Sequence, residues 1–205
     1  MAKKIDTMSS AVKELEKLYD ILNVEYFDGK LTRPIITVMA SAKQGLFGYY
    51  MPRKVWQTDE ERLSELNITA ETVGGDVYEL VDTMLHEMVH QYNDVNGIKD
   101  CSRGGTYHNK KFKESAERVG LIVECDKKSG FHLTSLSPAN IEFVNVKKIQ
   151  RISINRDFVG KLTGGSSKSS TRKYYCPMCD MSVRATKKVA IMCIECECRM
   201  ECDEE

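Results

Sequence analysis

The chain has 205 residues, its formal net charge is zero, and 41% of its residues are hydrophobic against 29% charged. A chain of this length can bury a proper core, and this composition is ordinary for a soluble protein. Residues 1–10 contain no apolar signal segment and the chain has no run of eighteen apolar residues. We therefore expect a cytoplasmic protein that neither is secreted nor spans a membrane.

The first predicted element is an amphipathic helix over residues 9–27. Ser9 or Ser10 offers an N-cap, and Asp28-Gly29 offers a stop. The apolar positions that recur at helical spacing are Val12, Leu15, Leu18, Leu22 and Tyr26.

Three short strands are predicted after this helix. A β-branched run that follows Pro34 predicts a strand over residues 35–40, and residues 47–51 and 66–69 fit two more. The glycine pair at 74–75 then leads into the next helix.

That next helix carries the sequence His-Glu-Met-Val-His at positions 86–90. Residues four apart on a helix share a face, so His86 and His90 point the same way with Glu87 beside them. Two neutral imidazoles so placed can hold a zinc ion, while the carboxylate acts as a general base on the water bound to it. The alternative is an ordinary helix that carries two histidines by chance.

A zinc hydrolase needs a third protein ligand and one position left open for water. His108 follows a paired-glycine turn and precedes a second amphipathic segment, which includes Phe112, and it is one candidate. Glu114 and Glu117 on that segment are the competing candidates. Short strands followed by a helix with this motif fit an α+β, zincin-like fold, in which an edge strand often binds an extended substrate.

The chain then changes character. Alternation over residues 141–154 predicts one or two strands, so residues 126–163 are interpreted as a β-rich extension of a first domain, 1–163. The Gly-Ser-rich run that follows predicts a flexible linker over 164–172. A second domain would occupy residues 173–205.

Six of the eight cysteines lie in this second domain. Two Cys-x-x-Cys pairs separated by thirteen residues predict a small ribbon with one structural zinc ion and no open position. Redox cysteines are the alternative, but the stretch lacks a strand–helix context for them. Cys198 and Cys202 are spare thiols that could replace Cys196 as ligands. The predicted ligands are Cys176, Cys179, Cys193 and Cys196.

Charge is unevenly spread along the chain. Residues 147–188 hold eleven basic and two acidic residues, a net charge of +9, whereas residues 189–205 have a net charge of −5. Basic residues beside aromatic ones suit phosphate contact and base stacking on single-stranded DNA. The alternatives are a solvated linker and tyrosines that merely cover the metal core. The candidate nucleic-acid contacts are Arg172, Lys173, Tyr174, Tyr175, Arg184, Lys187 and Lys188.

Three segments resemble the SprT-like family of zinc metalloproteases, which includes the Spartan-type proteases of DNA–protein crosslinks. Residues 23–31 resemble the family's opening helix and turn, and residues 85–90 resemble its metal-binding helix. His108 followed by Phe112 resembles its third-ligand segment, although Asn109 stands where the family usually has glycine. Asparagine tolerates a left-handed backbone, so we expect the turn to survive.

The resemblance implies an endopeptidase with one catalytic and one structural zinc ion. His86, His90 and His108 would be the catalytic ligands and Glu87 the general base. The implied substrates are proteins, including proteins bound or crosslinked to DNA, with single-stranded DNA as a further partner. Tyr107, Tyr92 and His132 are candidates to stabilise the oxyanion. A second hypothesis is a nucleic-acid-binding zinc protein whose peptidase half is silent or autoinhibited.

Overall fold

A computed structural model describes residues 7–41, 44–159 and 171–202. The chain divides into two compact units, Met1–Gly160 and Lys161–Glu205. Most of the predicted linker, residues 164–170, lies outside the described residues. No helix in the described ranges is long and apolar enough to cross a membrane. The fold is mixed α+β, with four α-helices and several small sheets among the described residues.

Helix α1, Met8–Phe27, begins slightly earlier than predicted, because Thr7 rather than Ser9 or Ser10 caps it by accepting from the Ser10 backbone N–H. It ends at Asp28, whose φ of 56° is left-handed. Two predicted stripe positions, Val12 and Tyr26, are only half-buried. The buried face consists of Ala11, Leu15, Leu18, Tyr19, Leu22, Asn23 and Phe27.

The first sheet contains β1 (Ile35–Met39), β2 (Gly48–Gln57) and β3 (Arg62–Thr69) in the order β1-β3-β2. Strand β3 pairs parallel with β1 and antiparallel with β2, and the register of the latter pair shifts between Met51 and Trp56. Both β2 and β3 extend beyond the predicted bounds. The added residues of β2 are exposed, and those of β3 run from exposed Arg62 to buried, polar Glu65, so neither set has the apolar alternation that reveals a strand.

Helix α2, Val77–Val95, is the element that bears the His-Glu-x-x-His sequence. The Asp76 side chain caps it by accepting from the N–H groups of Tyr78 and Glu79. Gly97, with a left-handed φ of 66°, follows its end. One helical face is buried in the core, formed by Leu80, Val81, Met84, Leu85, Met88 and Val89.

A second sheet contacts α2 through its strand β7. Its strands are β4 (Cys101–Ser102), β5 (Tyr107–His108), β6 (Leu121–Asp126) and β7 (Gly130–Leu136), in the order β4-β5-β7-β6. Helix α3, Lys110–Arg118, follows β5 and buries Phe112 and Ala116.

The strands predicted over residues 141–154 are wrong. Helix α4, Pro138–Val146, occupies the first part, with Ser137 as its N-cap and proline in its first turn. That helix-start signal outweighs a brief alternation of apolar residues. Residues 147–159 have no regular structure, and Ile152 is buried while Arg156 N–H donates to the Ala70 carbonyl at 3.0 Å. The extension is therefore not β-rich: β7 is its one strand among the described residues.

The second unit is a set of short strands: β8 (Arg172–Tyr175), β9 (Ser182–Ala185), β10 (Met192–Cys193), β11 (Cys198–Arg199) and β12 (Glu201–Cys202). They form one three-stranded sheet, β12-β8-β9, and one pair, β10-β11. Its small core consists of Tyr174, Cys176, Cys193 and Met200.

Candidate functional site

Three imidazoles from two elements converge in the first unit. His86 and His90 lie one turn apart on α2, and His108 reaches them from β5. The Nε2 atom of His108 lies 3.3 Å from Nε2 of His86 and 3.0 Å from Nε2 of His90. Nitrogens bound to one tetrahedral metal ion at about 2.0–2.1 Å would be roughly 3.3 Å apart. The three nitrogens therefore fit a single metal ion.

The competing third ligands are elsewhere. Glu114 and Glu117 are exposed on α3, and Glu117 forms an ion pair with Lys113. Phe112 from the same helix instead packs beneath the three imidazoles, with ring centroids 4.6–4.7 Å from theirs. The structure thus brings His108, and neither glutamate, to the α2 histidines.

Close backbone packing fixes the position of His108. Its N–H donates to the Ser129 carbonyl at 2.9 Å, and β5 pairs with β7 at Gly130. A Cβ atom on Gly130 would lie 2.1 Å from the His108 carbonyl oxygen, so only glycine fits there. Asn109 has an extended backbone, with φ −94°, and caps α3 through Lys111 and Phe112. The left-handed turn expected at Asn109 is therefore wrong, and the role of the Asn109 side chain here is to cap α3.

The Nδ1 atoms of the α2 histidines are held by polar side chains that sequence reasoning missed. His90 Nδ1 lies 2.7 Å from Asp100 Oδ2, and His86 Nδ1 lies 3.2 Å from Thr134 Oγ1. The Thr134 hydroxyl donates in turn to Asp82 Oδ2 at 3.1 Å. A proton on each Nδ1 leaves the Nε2 lone pair free for a metal ion.

The surroundings set opposite charge preferences for these rings. Burial holds the pKa of His86 well below its usual value and lowers the pKa of His108 to about 4. Burial also disfavours the charged form of His90, but hydrogen bonds to Asp100 and Cys101 together with the negative charges of Glu87 and Asp100 outweigh it and raise the pKa of His90 to about 10. Protons and a metal ion therefore compete for His90 in particular.

Glu87 lies beside this cluster and is 7% exposed. Burial raises the pKa of its carboxyl to about 7, although the carboxylate accepts the backbone N–H of Tyr50. It packs against the start of β2, where a Cβ atom on Gly48 would lie 3.3 Å from Glu87 Cγ. A buried carboxyl whose pKa is near neutral and that lies next to three clustered imidazoles is suited to proton transfer.

The cluster and Glu87 face a cavity of about 630 Å³. Strand β2 and the segment before it line this cavity, and β7 also contributes residues to its lining. Its walls include Phe47, Gly48, Tyr50, Asp94, His132 and Thr134. Phe47 is 58% exposed, which gives the cavity an apolar rim.

The second unit brings together four thiols. The Sγ atoms of Cys176, Cys179, Cys193 and Cys196 all lie within 4.8 Å of one another. Sulfurs around one tetrahedral zinc ion would be roughly 3.8 Å apart, since the metal–sulfur distance is about 2.3 Å. Cys179 and Cys193 have this separation, 3.8 Å. The cluster could therefore hold a metal ion.

Cys198 also lies next to this cluster, with its Sγ 3.4 Å from that of Cys176. It is the register partner of Cys193 across β10 and β11. Cys202 instead pairs with Tyr174 between β12 and β8. Of the two spare thiols, Cys198 is thus the one placed beside a predicted ligand.

The predicted nucleic-acid contacts divide into buried and exposed residues. Tyr174 is 3% exposed, and its hydroxyl oxygen accepts the Val189 N–H, so it covers the thiol core and cannot stack on a base. Tyr175 is half-buried and donates to Glu201. The basic residues are exposed, and Lys173 faces Arg184 across β8 and β9. The exposed basic residues are Arg172, Lys173, Arg184, Lys187 and Lys188.

No protein-family model, no curated protein and no solved structure matches the chain. A function is therefore proposed from the geometry of the histidine cluster and the cysteine cluster.

Proposed function

We propose that the chain is a zinc-dependent endopeptidase of the SprT-like type that acts on protein substrates. One observation carries this proposal: the Nε2 atom of His108 lies 3.0–3.3 Å from those of His90 and His86, while the buried Glu87 carboxyl lies beside the cluster. Three imidazoles with one adjacent carboxylate are the donor set of a catalytic metal site that leaves a position open.

His86, His90 and His108 would hold the metal ion. A zinc ion bound there would lower the pKa of a coordinated water molecule and polarise a carbonyl group. The protein's contribution is to align the three nitrogens, and Asp100 and Thr134 support this by holding the Nδ1 atoms of His90 and His86.

Glu87 would move the proton. Its carboxylate accepts a proton from the attacking water and later delivers it to the leaving amine of the cleaved peptide bond. Burial raises its pKa to about 7, which is close to the value at which one group can both accept and release a proton at neutral pH. The Tyr50 N–H keeps the carboxylate oriented while it does so.

The cavity wall favours an extended polypeptide as substrate. Strand β2 lies at an edge of its sheet among the described residues, since it pairs with β3 alone. Gly48 and Tyr50 on this strand line the cavity next to Glu87. A strand edge beside the reactive groups can bind a peptide backbone by adding it as a further strand.

Replacement of Glu87 by glutamine tests this proposal. Glu87→Gln keeps the shape of the side chain but cannot accept a proton, so hydrolysis of a fluorescently labelled, denatured protein should fall at least 100-fold with the metal content unchanged. Glu114→Gln, an exposed change on α3, is the matched control and should retain full activity. Equal activity in Glu87→Gln and wild type would refute the role of Glu87.

A second candidate activity of the same chain is binding of single-stranded nucleic acid by the ribbon. The observation that favours it is the exposed pair Lys173 and Arg184, which face each other across β8 and β9. Replacing both by glutamate in the full chain should weaken binding of a single-stranded oligonucleotide and flatten its salt dependence. Unchanged binding with the same salt dependence would exclude this face.

A further inference from the structure

His132 is the fourth histidine of the chain and lies on β7 at the cavity. Its ring centroid is 6.2 Å from that of His108, whereas the three clustered rings are 4.9–5.2 Å apart. It also lies outside the group of ligand atoms that share one small space. His132 is therefore next to the cluster without belonging to it.

The imidazole of His132 is not committed to another role within the fold. In the part of the chain that the structure describes, its Nδ1 atom is buried without a hydrogen-bond partner. The tyrosines of the cavity wall are engaged: the Tyr49 hydroxyl donates to Glu65, and the Tyr50 hydroxyl donates to Asp94 at 3.1 Å.

The two other aromatic donors near the site are tied elsewhere. The Tyr92 hydroxyl accepts from Arg118 at 2.7 Å, and its ring packs against Phe27. The Tyr107 ring is covered by the guanidinium of Arg103 at 4.5 Å. Neither tyrosine lines the cavity, whereas His132 does.

His132 and Glu87 border the cluster from different elements. Glu87 packs against Gly48 of β2, and His132 extends from β7, the strand that also supplies Thr134 to His86. A peptide bond held over the three nitrogens would have the proton acceptor toward β2 and an imidazole toward β7. Negative charge develops on the carbonyl oxygen of that bond in the transition state, and a positioned donor stabilises it.

We infer that His132 is a catalytic residue that donates a hydrogen bond from its imidazole to the scissile carbonyl oxygen in the transition state. The inference rests on the proposed peptidase function and adds a residue to it. No bond to His132 forms or breaks, and its contribution is confined to the charge that appears as the carbonyl carbon becomes tetrahedral.

The test compares zinc-loaded wild type with His132→Ala and His132→Asn. Loss of one such donor lowers kcat by about 100- to 1,000-fold, so His132→Ala should lose that factor in kcat with little change in KM. His132→Asn, which retains an N–H donor, should recover part of it. Tyr107→Phe removes only a hydroxyl outside the cavity and is the control that should stay near wild type.

A phosphinic peptide mimics the tetrahedral transition state, so its affinity separates a catalytic role of His132 from a merely structural one. Its affinity should fall by the same factor as kcat/KM in His132→Ala, with zinc content unchanged.

Loss of the histidine-site zinc in His132→Ala would overturn the inference in favour of a ligand role. If wild type and His132→Ala hydrolyse the substrate equally well, the inference would also be overturned, but the peptidase proposal would stand. A zinc-loaded wild type that cleaves no protein would overturn both.

Discussion

The two carboxylates behind the α2 histidines differ in their connection to the ligands. Asp100 contacts His90 directly and is itself held by the Asn93 amide at 3.0 Å. Asp82 reaches His86 only through the Thr134 hydroxyl. Charge on Asp100 is compensated by His90, which lowers the pKa of Asp100 against the effect of burial, whereas burial raises the pKa of Asp82 to about 6.

Substitution of Asp100 by asparagine should weaken metal binding at the histidine site. The amide can still accept a hydrogen bond but lacks the charge that makes His90 a better ligand, and loss of such a partner costs roughly 10- to 100-fold in affinity. Competition with a chromogenic chelator measures the change. Asp94→Asn is the control, because Asp94 lines the same cavity but bonds to Tyr50. Equal affinities for the two variants would contradict this expectation.

Ionisation of Asp82 should lower the free energy of unfolding of the metal-free protein as pH rises. Its pKa is about 6 in the fold against about 3.8 for an unperturbed carboxyl, so the fold binds more protons than the unfolded chain between these values and loses stability as pH rises through 6.

Asp82→Asn removes that cost, so it should raise the free energy of unfolding by up to about 3 kcal/mol at pH 7.5. The gain should shrink as pH falls from 6 toward 4. Trp56, the single tryptophan, reports unfolding of the first unit by fluorescence. A gain that stays constant with pH would show that the Asp82 charge is not its cause.

The spacing of histidines at four residues predicts that His86 and His90 share a face with Glu87 beside them, because a helix has 3.6 residues per turn. No comparable rule predicts the contacts of Asp100, Thr134 and Asp82. Thr134 is 48 residues from His86, and β7 brings it there by sheet pairing. The residues that orient the histidines are therefore brought to them by the tertiary fold. Their spacing in the sequence has no helical or strand periodicity from which these contacts could be predicted.

At the scale of elements, helix ends were easier to predict than strand lengths. Capping residues and a glycine mark the ends of α1, so its bounds were predicted to within a few residues. The outer half of β2 is exposed on both faces, and the outer half of β3 ends in the buried, polar Glu65, so neither segment shows the alternation on which strand prediction depends. Helix α4 shows the opposite case, because its cap at Ser137 carries more information than its short apolar pattern.

The approach of β2 to α2 depends on Gly48. A Cβ atom at this position would lie 2.8 Å from the Asn67 carbonyl oxygen and 3.0 Å from Thr83 Cγ2. Gly48→Ala should therefore push β2 away from α2, at a cost of about 1–3 kcal/mol in stability, and move Tyr50 from Glu87.

Trp56 fluorescence during denaturation measures the loss of stability. Peptidase activity should also fall at a temperature where the variant is still fully folded, so the loss of activity is not explained by unfolding. Gly75→Ala is the control, since its nearest contact would be 3.1 Å and lies at the turn before α2. Equal effects of the two substitutions would argue against a specific role for the β2–α2 approach.

At the scale of the whole chain, the two units obtain their stability differently. The first has a core of buried side chains from four helices and two sheets. The second has a core of four residues, two of them cysteines. So small a core cannot offset the conformational entropy of its strands, and a bound metal ion would have to supply the difference.

Removal of metal by a strong chelator should therefore unfold the second unit and leave the first folded. Two-dimensional amide NMR spectra should show signals of residues 171–202 collapsing to random-coil positions, while the remaining signals stay dispersed. Trp56 fluorescence should still report a cooperative transition on heating. Dispersed ribbon signals in the chelated protein would refute a metal-dependent fold.

The segments around His108 are held in place by hydrogen bonds that do not involve the three clustered imidazoles. Asn109 N–H donates to the Asp100 carbonyl at 2.9 Å, its side-chain amide donates to the Lys99 carbonyl at 2.9 Å, and Ser115 donates to Asn93 at 2.6 Å. Metal binding there should bury almost no new apolar surface, so its heat-capacity change should be close to zero. Binding at the ribbon is coupled to folding and should show a large negative heat-capacity change, so calorimetry at several temperatures distinguishes the two sites within one molecule.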